Sequence, residues 1–353
     1  MPDAGTATAR STGAALSETV LQIAGLVQEF PVGGGRTVHA LRGVTLDVRE
    51  GETLGVVGES GCGKSTLLRS TVLAPRPTRG TVTFEGVELT ALDRRALARA
   101  RRRLSLVFQD PYSSLDPRFL VRDLVSEPMR AAGARRADRN AKADELLDAV
   151  GLDPHHHGAR RSAELSGGQL QRVAIARALA IRPGLMLCDE IVSGLDVSVQ
   201  AQILNLLHDL RERFRLTTVF VSHDLGVVRH VSDRIAVMYL GTVSELGPTT
   251  EIYRRPAHPY TKALIAAAPG LRRAEDAVGR HLEGELPSPM SPPSGCPFRT
   301  RCPRAQALCA EEMPPMRRFG DDHAAACHFP LRTPSAAADS DSDRALVARE
   351  VSL

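Results

Sequence analysis

The stretch Thr53–Thr66 reads TLGVVGESGCGKST and decides the fold of the chain. Residues 53–57 are mostly apolar and β-branched, as in a buried strand. Residues 58–65 then match the pattern of two glycines with four residues between them, followed by Lys and Ser. Backbone N–H groups of such a loop bind phosphate together with the start of the next helix. The stretch predicts a nucleoside triphosphate site, with Lys64 at the β- and γ-phosphates and Ser65 on Mg²⁺. The residues predicted to bind the nucleotide here are Gly58, Glu59, Ser60, Gly61, Cys62, Gly63, Lys64, Ser65 and Thr66.

The composition is that of a globular protein, with 42% hydrophobic and 24% charged residues among 353. The net charge of +4 is slight for this length, and we expect no nucleic-acid partner. No apolar run is long enough to span a bilayer, so we do not expect this chain to cross a membrane by itself. Cys62 and Cys188 lie in predicted core motifs, and four more cysteines follow between 296 and 327. This usage favours a cytosolic protein with reduced thiols or a metal centre.

Changes in composition divide the chain into four parts. Residues 1–19 are small and polar and predict a disordered leader, while the Ser-, Ala- and Asp-rich residues 331–353 predict a disordered tail. Over 20–250, strands alternate with helices after some early antiparallel strands, which predicts an α/β core with a mostly parallel sheet. A loop-and-helix region at about 111–165 predicts an inserted helical subdomain. Residues 251–330 are rich in Pro and Cys and predict a small irregular extension.

Polar side chains follow three of the predicted parallel strands. Gln109, the pair Asp189-Glu190 and His223 each come directly after an apolar strand. Because the carboxyl ends of parallel strands meet at one edge of the sheet, these residues should converge beside the phosphate loop. Asp189 is then expected to bind Mg²⁺, and Glu190 to orient or deprotonate the attacking water.

A second phosphate-binding signal is the run LSGGQ at residues 165–169. Its glycines expose backbone N–H groups at the start of a predicted helix. One nucleotide cannot obviously use both this helix start and the phosphate loop of the same chain.

With these motifs, in this order over residues 21–250, the chain resembles the ATP-binding-cassette (ABC) proteins, in which two cassettes sandwich ATP head to tail. The resemblance implies a P-loop NTPase fold. It also implies that Ser166 and Gly168, in a signature completed by Gly167 and Gln169, act in trans on the γ-phosphate held by a partner cassette. Asp196 is implied as a loop residue that faces that partner.

The same resemblance assigns roles around the γ-phosphate. It implies that Glu190 is the catalytic carboxylate, that His223 is a switch histidine touching the γ-phosphate, and that Gln109 contacts Mg²⁺ and water. Phe30 is implied as the ring that stacks on adenine, although an ordinary core Phe is the alternative. Ile191 stands where this family usually has Pro. Because the catalytic set is complete, we expect an active ATPase.

Two later stretches are similar to the C-terminal extension of oligopeptide and dipeptide importer ATPases. They are EIYRRPAHPYTK at 251–262 and GELPSPMSPPSGCPFRTRCP at 284–303. FQDPYSSLDPR at 108–118 and VSGLDVSVQAQILNLL at 192–207 resemble the second ATPase of such importers. The resemblance implies a peripheral ATPase on the cytoplasmic face of the membrane. Its implied partners are a second cassette in a heterodimer, two permeases and an extracytoplasmic binding protein.

Two alternatives to a peptide importer remain open. Importers of nickel, glutathione or sugars share the extension. The second is a soluble cassette ATPase. It could act in DNA repair or translation, although such proteins usually carry two cassettes or a long coiled coil, or it could be an iron–sulfur sensor whose ATPase is regulatory.

Four cysteines of the extension could form a metal site. Cys296, Cys302, Cys309 and Cys327 are separated by five, six and seventeen residues. Zinc sites favour closer cysteine pairs, so the spacing alone leaves an iron–sulfur cluster, zinc and free thiols open. Resemblance to dipeptide-importer ATPases favours a four-iron four-sulfur centre, with zinc as the alternative.

Overall fold

The computed structural model describes residues 18–268 and 284–335. The predicted disordered leader and tail lie almost entirely outside these residues. At their edges the structure differs from the prediction, because Thr19 begins a strand and the Leu331 N–H donates to the Ala257 carbonyl at 2.8 Å. Within the described ranges, no helix is both long and apolar enough to cross a membrane.

The described residues form twelve strands and twelve α-helices. The strands are β1 (Thr19–Pro31), β2 (Thr37–Arg49), β3 (Thr53–Val57), β4 (Arg79–Phe84), β5 (Val87–Glu88), β6 (Leu104–Val107), β7 (Leu185–Asp189), β8 (Thr218–Val221), β9 (Arg234–Tyr239), β10 (Thr242–Pro248), β11 (Met316–Arg318) and β12 (Ala324–Ala326). The helices are α1 (Lys64–Thr71), α2 (Arg94–Ala100), α3 (Pro111–Ser114), α4 (Val121–Ala131), α5 (Arg136–Ala149), α6 (Pro154–His157), α7 (Gly167–Leu179), α8 (Val197–Phe214), α9 (Leu225–Val231), α10 (Thr249–Arg254), α11 (Pro259–Ala267) and α12 (Leu308–Glu311).

The larger sheet has the strand order β11-β12-β10-β9-β3-β8-β7-β6. Its five strands from β9 to β6 are parallel, which confirms the predicted α/β core. Every residue of β3, β7 and β8 is buried, as their continuous apolar sequences require of strands covered on both faces. Since these strands run in one direction, β3, β6, β7 and β8 all end at the same edge.

The smaller sheet is antiparallel, with the order β2-β1-β4-β5. Buried residues of β1, including Leu21, Ile23 and Leu26, pack into a cluster with Leu67 and Leu68 of α1. This contact confirms the predicted antiparallel subdomain and fixes it beside the phosphate loop.

Helices α3 to α6 fill the interval between β6 and α7, within the predicted helical region 111–165. The apolar faces of α4 and α5 pack on α7 through residues such as Val125, Leu147 and Val173. The inserted helices therefore share their core with the helix that follows the LSGGQ run.

The C-terminal extension (residues 251–330) is less irregular than its composition predicts. Strand β12 pairs with β10 and β11 pairs with β12, so the extension lengthens the main sheet. Phe298 and Cys296 belong to the same buried cluster as Tyr239 of β9. The sequence does not predict β11 and β12, because a strand of three residues is too short to show the alternation of apolar and polar residues that identifies a strand.

Candidate active site

The phosphate loop (residues 58–65) connects β3 to α1 through positions that require glycine. Gly58 and Gly63 have φ angles of 156° and 105°. A Cβ at Gly58 would lie 2.2 Å from the Met238 carbonyl oxygen, and one at Gly63 would lie 2.5 Å from that of Ala40. A larger residue at either position would push the loop off its neighbours.

Lys64 is the cation at the base of this loop, with its side chain only 4% exposed. Its Nζ atom donates to the carbonyl oxygens of Gly58 at 2.9 Å and Glu59 at 3.1 Å. The same atom lies 3.8 Å from Oε1 of Glu190. The loop thus positions a buried ammonium group beside the carboxylate at the end of β7.

Ser65 and Asp189 meet across the site, where the Ser65 hydroxyl donates to Oδ1 of Asp189 at 2.8 Å. Burial raises the pKa of Asp189, while the hydrogen bond from Ser65 opposes that rise. Mg²⁺ is bound by oxygen ligands at about 2.1 Å and keeps several waters, so the Ser65 hydroxyl suits a direct ligand and the adjacent carboxylate suits an acceptor for those waters. The residues present therefore fit a magnesium ion.

Glu190 contacts the polar side chains that follow β6 and β8. Its Oε2 atom lies 3.3 Å from Nε2 of Gln109 and 3.3 Å from Nδ1 of His223. Gln109 also donates to Ser193 Oγ at 3.3 Å. The convergence that the sequence predicts for these residues is thus present in the structure.

The backbone at Glu190 is left-handed, with φ at 48°. A non-glycine residue costs about 1–3 kcal/mol in this conformation, and such positions cluster at functional sites. The turn is closed by the Ser193 hydroxyl, which donates to the Glu190 carbonyl at 2.7 Å. Ile191, where the family usually has Pro, is 1% exposed and packs into the core. The turn is therefore held by the buried Ile191 and the Ser193 hydrogen bond.

The LSGGQ residues lie at the start of α7 and make a capping box. The Ser166 hydroxyl accepts from the Gln169 N–H at 3.4 Å, and Oε1 of Gln169 accepts from the Ser166 N–H at 3.0 Å. A Cβ on Gly168 would lie 2.6 Å from Val199 of α8, so the helix start approaches α8 closely. These side chains bond to each other and to His157, so the structure does not bring them to the phosphate loop of the same chain.

Asp196 caps α8, accepting from the Val199 N–H at 3.0 Å and the Ser198 hydroxyl at 2.6 Å. These bonds lower the pKa of Asp196. The next residue, Val197, is 84% exposed. Capping of α8 accounts for an Asp at position 196, whereas it does not account for the exposure of the apolar side chain of Val197.

Phe30 lies near the end of β1 and is half-buried. It is paired with Val38 of β2, and Ala40 of the same strand approaches Gly63 of the phosphate loop. Phe30 belongs to none of the described buried clusters, so the alternative of an ordinary core Phe is not supported.

Comparison with known proteins agrees with this geometry. A sequence profile described as "ABC transporter" matches residues 41–193, and one described as "Oligopeptide/dipeptide transporter, C-terminal region" matches residues 244–309. An oligopeptide transport ATP-binding protein of Bacillus subtilis is 45% identical over 327 residues, which cover 90% of this chain and 99% of that protein. The chain belongs to the ABC transporter family of ATP-binding proteins.

Other members of the family match this chain over most of its length. A di/tripeptide transport ATP-binding protein of Pseudomonas aeruginosa is 43% identical over 88% of this cassette chain and 98% of its own length. A dimeric ATP-binding cassette in a post-hydrolysis state, bound to ADP and phosphate, superposes with a TM-score of 0.59. It is 31% identical and covers 65% of this chain and 98% of its own. As an ABC cassette with this fold, the chain is an ATPase.

The extension of the cassette contains one small cavity lined by all four of its cysteines, together with His258 and Phe298. Cys302 is partly exposed and the other three are buried. Burial, together with charge on Cys296, Cys302 and Cys309, raises the pKa of Cys327 to about 11, although the backbone hydrogen bond from Phe329 opposes the rise. Among residues 18–268 and 284–335, however, no three His, Cys, Asp or Glu side chains are placed to hold a metal ion.

Sequence analysis missed two residues that contact the phosphate loop of the cassette. Arg301 forms an ion pair with the Glu59 carboxylate, and Tyr260 Oη accepts from the Glu59 N–H at 3.1 Å. Both lie in the extension, roughly two hundred residues or more along the chain from Glu59. Neither stands in a pattern that signals phosphate-loop contact, so only the fold could reveal them.

Proposed function

We propose that this cassette hydrolyses ATP to drive the import of di- and oligopeptides through partner permeases. The observation that carries the proposal is that one chain matches both the cassette and the oligopeptide/dipeptide transporter C-terminal region. The two relatives named for oligopeptide and di/tripeptide transport match along 99% and 98% of their own lengths and along 90% and 88% of this chain, so the likeness extends beyond the cassette into the extension.

In the proposed mechanism, Glu190 accepts a proton from the attacking water. Its Oε2 atom is held by Gln109 and His223, which orients the carboxylate toward the γ-phosphate. Lys64 exchanges its loop carbonyls for the β- and γ-phosphates and stabilises the transferred charge. Phe30 stacks on the adenine ring.

Ser65 and Asp189 are proposed to hold Mg²⁺, Ser65 directly and Asp189 through the water shell, with Gln109 contacting the ion from β6. When bound, the ion neutralises charge on the β- and γ-phosphates. The hydrogen bond from the Ser65 hydroxyl to Asp189 Oδ1, at 2.8 Å, supports this assignment because it keeps the carboxylate beside the oxygen that would bind the ion.

A second cassette is proposed to complete the site. Ser166, Gly167, Gly168 and Gln169 form a phosphate-binding helix start, but their contacts lie away from their own phosphate loop. Val197, beside Asp196, is exposed over 84% of its surface, as expected of a side chain that a partner covers. We propose a heterodimer, in which the signature of each chain acts on the nucleotide of the other.

The permeases are proposed to dock beside Gln109. Four of the large apolar side chains that are exposed in the described chain lie between residues 108 and 120: Phe108, Tyr112, Phe119 and Leu120. Such a concentration marks a contact surface. Docking there would hold this chain at the cytoplasmic face of the membrane and connect the permeases to Glu190 through Gln109. An extracytoplasmic binding protein would deliver the peptide.

The four cysteines are proposed to hold a four-iron four-sulfur cluster. All four thiols line one cavity, which supports a shared site for them. Four cysteine thiolates are the usual ligands of such a cluster, and zinc, which four thiolates also bind, is the alternative. The cluster would be structural or regulatory, because ATP hydrolysis needs no electrons.

Purification of the tagged protein from its own cells in mild detergent tests the proposal. We expect two multi-span membrane proteins, a second cassette and a binding protein among the partners identified by mass spectrometry. Recovery with ribosomes or DNA-repair proteins, and without a membrane protein, would contradict it. Washed membranes from cells expressing the untagged protein are the control for carry-over.

A further inference from the structure

A segment of the extension, residues 284–302, lies along the nucleotide site. At one end, the backbone N–H of His39 donates to the Pro289 carbonyl at 2.9 Å. His39 follows Val38, the cross-strand partner of Phe30. At the other end, Arg301 is paired with Glu59 of the phosphate loop. The segment therefore contacts both the adenine end and the phosphate end of the proposed ATP site.

The pair between Arg301 and Glu59 is bidentate. Arg301 Nη1 lies 2.6 Å from Glu59 Oε2, and Nη2 lies 3.0 Å from Oε1. The Arg301 side chain is only 5% exposed. Its guanidinium group also lies 3.4 Å from the Tyr239 hydroxyl and 5.9 Å from the centre of that ring. This geometry fixes the guanidinium in one place, as parallel N–H···O bonds to a carboxylate do.

Every polar group of Glu59 has a partner. The carboxylate bonds to Arg301 and the N–H donates to Tyr260 Oη at 3.1 Å, while the carbonyl accepts from Lys64 Nζ at 3.1 Å and from the Cys62 N–H at 3.3 Å. Two of these four partners belong to the extension. The extension therefore helps to set the conformation of the second residue of the phosphate loop.

The ion pair between Arg301 and Glu59 affects the charge that ATP meets at the phosphate loop. Glu59 places a carboxylate in the loop that is to hold a polyanion, where its negative charge opposes binding. Arg301 neutralises that carboxylate and holds it through the bidentate pair. Without the arginine, the phosphates would meet a repulsive and less ordered loop.

We propose that Arg301 is a positioning residue for the phosphate loop, and that the extension is thereby a working part of the ATP site. The inference rests on the proposed function, since it presumes that the loop binds ATP. It also links the cysteine-lined cavity to that site. Arg301 directly precedes Cys302, and Phe298 of the cavity packs on Tyr239 and Tyr260 with ring centres 5.3 Å apart in each pair.

Calorimetric titration of the full-length protein with Mg-ATP tests the proposal. Arg301→Gln should raise the Kd by about tenfold, because it leaves the Glu59 charge unneutralised. The double variant Arg301→Gln with Glu59→Gln should recover most of that loss, because the repulsive charge is then gone. A purely structural arginine predicts no recovery. Wild-type affinity in Arg301→Gln, or a double variant no better than the single, would overturn the proposal.

Further variants distinguish a specific role of Arg301 in ATP binding from a general loosening of the extension. Arg49 pairs in the same bidentate way with Asp322 of the extension, away from the phosphate loop, so Arg49→Gln should leave the Kd unchanged. A tenfold loss in Arg49→Gln would mean that any break between cassette and extension suffices, and would contradict a specific role for Arg301. If Arg301→Gln does not fold, Arg301→Lys, which keeps the charge without the bidentate geometry, should bind ATP with an intermediate Kd, and a wild-type Kd would overturn the proposal. Lys64→Ala should abolish binding, and if it does not, the proposed ATP site itself fails whatever Arg301 does.

Discussion

In the active site, the Oε1 atom of Glu190 lies 3.8 Å from the Nζ atom of Lys64. The proposed general base and the phosphate-binding cation thus occupy adjacent positions, although 125 residues separate them along the chain. Strands β3 and β7 bring them together, because both end at the same edge. The γ-phosphate, once held by Lys64, would lie within reach of a water bound to Glu190.

Replacement of this carboxylate separates binding from hydrolysis. Glu190→Gln keeps the shape of the side chain but cannot accept a proton, so hydrolysis should fall by about 10²–10⁴-fold while the Kd for ATP stays near that of the wild type. Phosphate release and equilibrium titration measure the two effects. Glu212→Gln, on the exposed face of α8, is the control and should hydrolyse ATP normally. Near-normal turnover in Glu190→Gln would exclude it as the base.

The signature tests the contribution of a second cassette. Ser166→Arg places a large cation at the exposed start of α7, where Ser166 bonds to Gln169 and makes no described hydrogen bond to the phosphate loop of its own chain. We expect the purified variant to bind ATP with a Kd within about twofold of the wild type, but the assembled transporter to lose hydrolysis. Loss of ATP binding by the variant itself would show that the signature acts on its own nucleotide.

Glu245 anchors the extension and predicts a large stability effect. Its carboxylate, 0% exposed, accepts from the backbone N–H groups of Ala257 at 2.7 Å and His258 at 2.9 Å and lies 2.7 Å from His323 Nε2. Glu245→Ala would leave these buried groups without an acceptor and should lower the free energy of unfolding by about 3 kcal/mol, measured in urea.

The control for this prediction is Glu251→Ala. Glu251 pairs with Arg332 at 3.4 Å but is 38% exposed, so its loss should cost less than about 1 kcal/mol. Equal effects of the two substitutions would contradict the anchoring role of Glu245.

Cys62 of the phosphate loop is predicted to resist alkylation. It is 1% exposed, and burial raises its pKa to about 11, so about one thiol in a thousand is ionised at pH 8. N-ethylmaleimide should leave Cys62 unlabelled in the folded protein and label it after unfolding in guanidinium, as read by peptide mass spectrometry. Because the thiolate is favoured only above about pH 11, raising the pH from 7 to 9 should not produce rapid labelling. Labelling of the folded protein at pH 8 would contradict the buried position.

Local chemistry explains which parts of the site can be predicted from sequence. A phosphate loop needs glycines, Lys and a hydroxyl at fixed spacing, and residues 58–65 match that pattern in the sequence itself. Gln109, Glu190 and His223 follow apolar strands, so the rule that parallel strands end at one edge is enough to bring them together. The inserted helices and the antiparallel strands are predicted for the same reason, since each carries its own periodicity.

The extension escapes prediction because long-range contacts define it. Arg301 meets Glu59 in a fold in which β12 pairs with β10 and Phe298 packs on Tyr239, and these contacts hold the extension against the cassette. No spacing rule connects residues so far apart. The composition of 251–330 therefore predicts an irregular appendage, whereas the structure joins it to the sheet, the core and the phosphate loop.

Peptide uptake by intact cells tests the central claim most directly. Deletion of the gene for this chain first defines the uptake of labelled di- and oligopeptides that depends on it. The account predicts that the wild-type gene restores this uptake and that Glu190→Gln, expressed at the same level, does not. Unchanged peptide uptake after deletion with loss of another solute, or full restoration by Glu190→Gln, would contradict ATP-driven peptide import by this cassette.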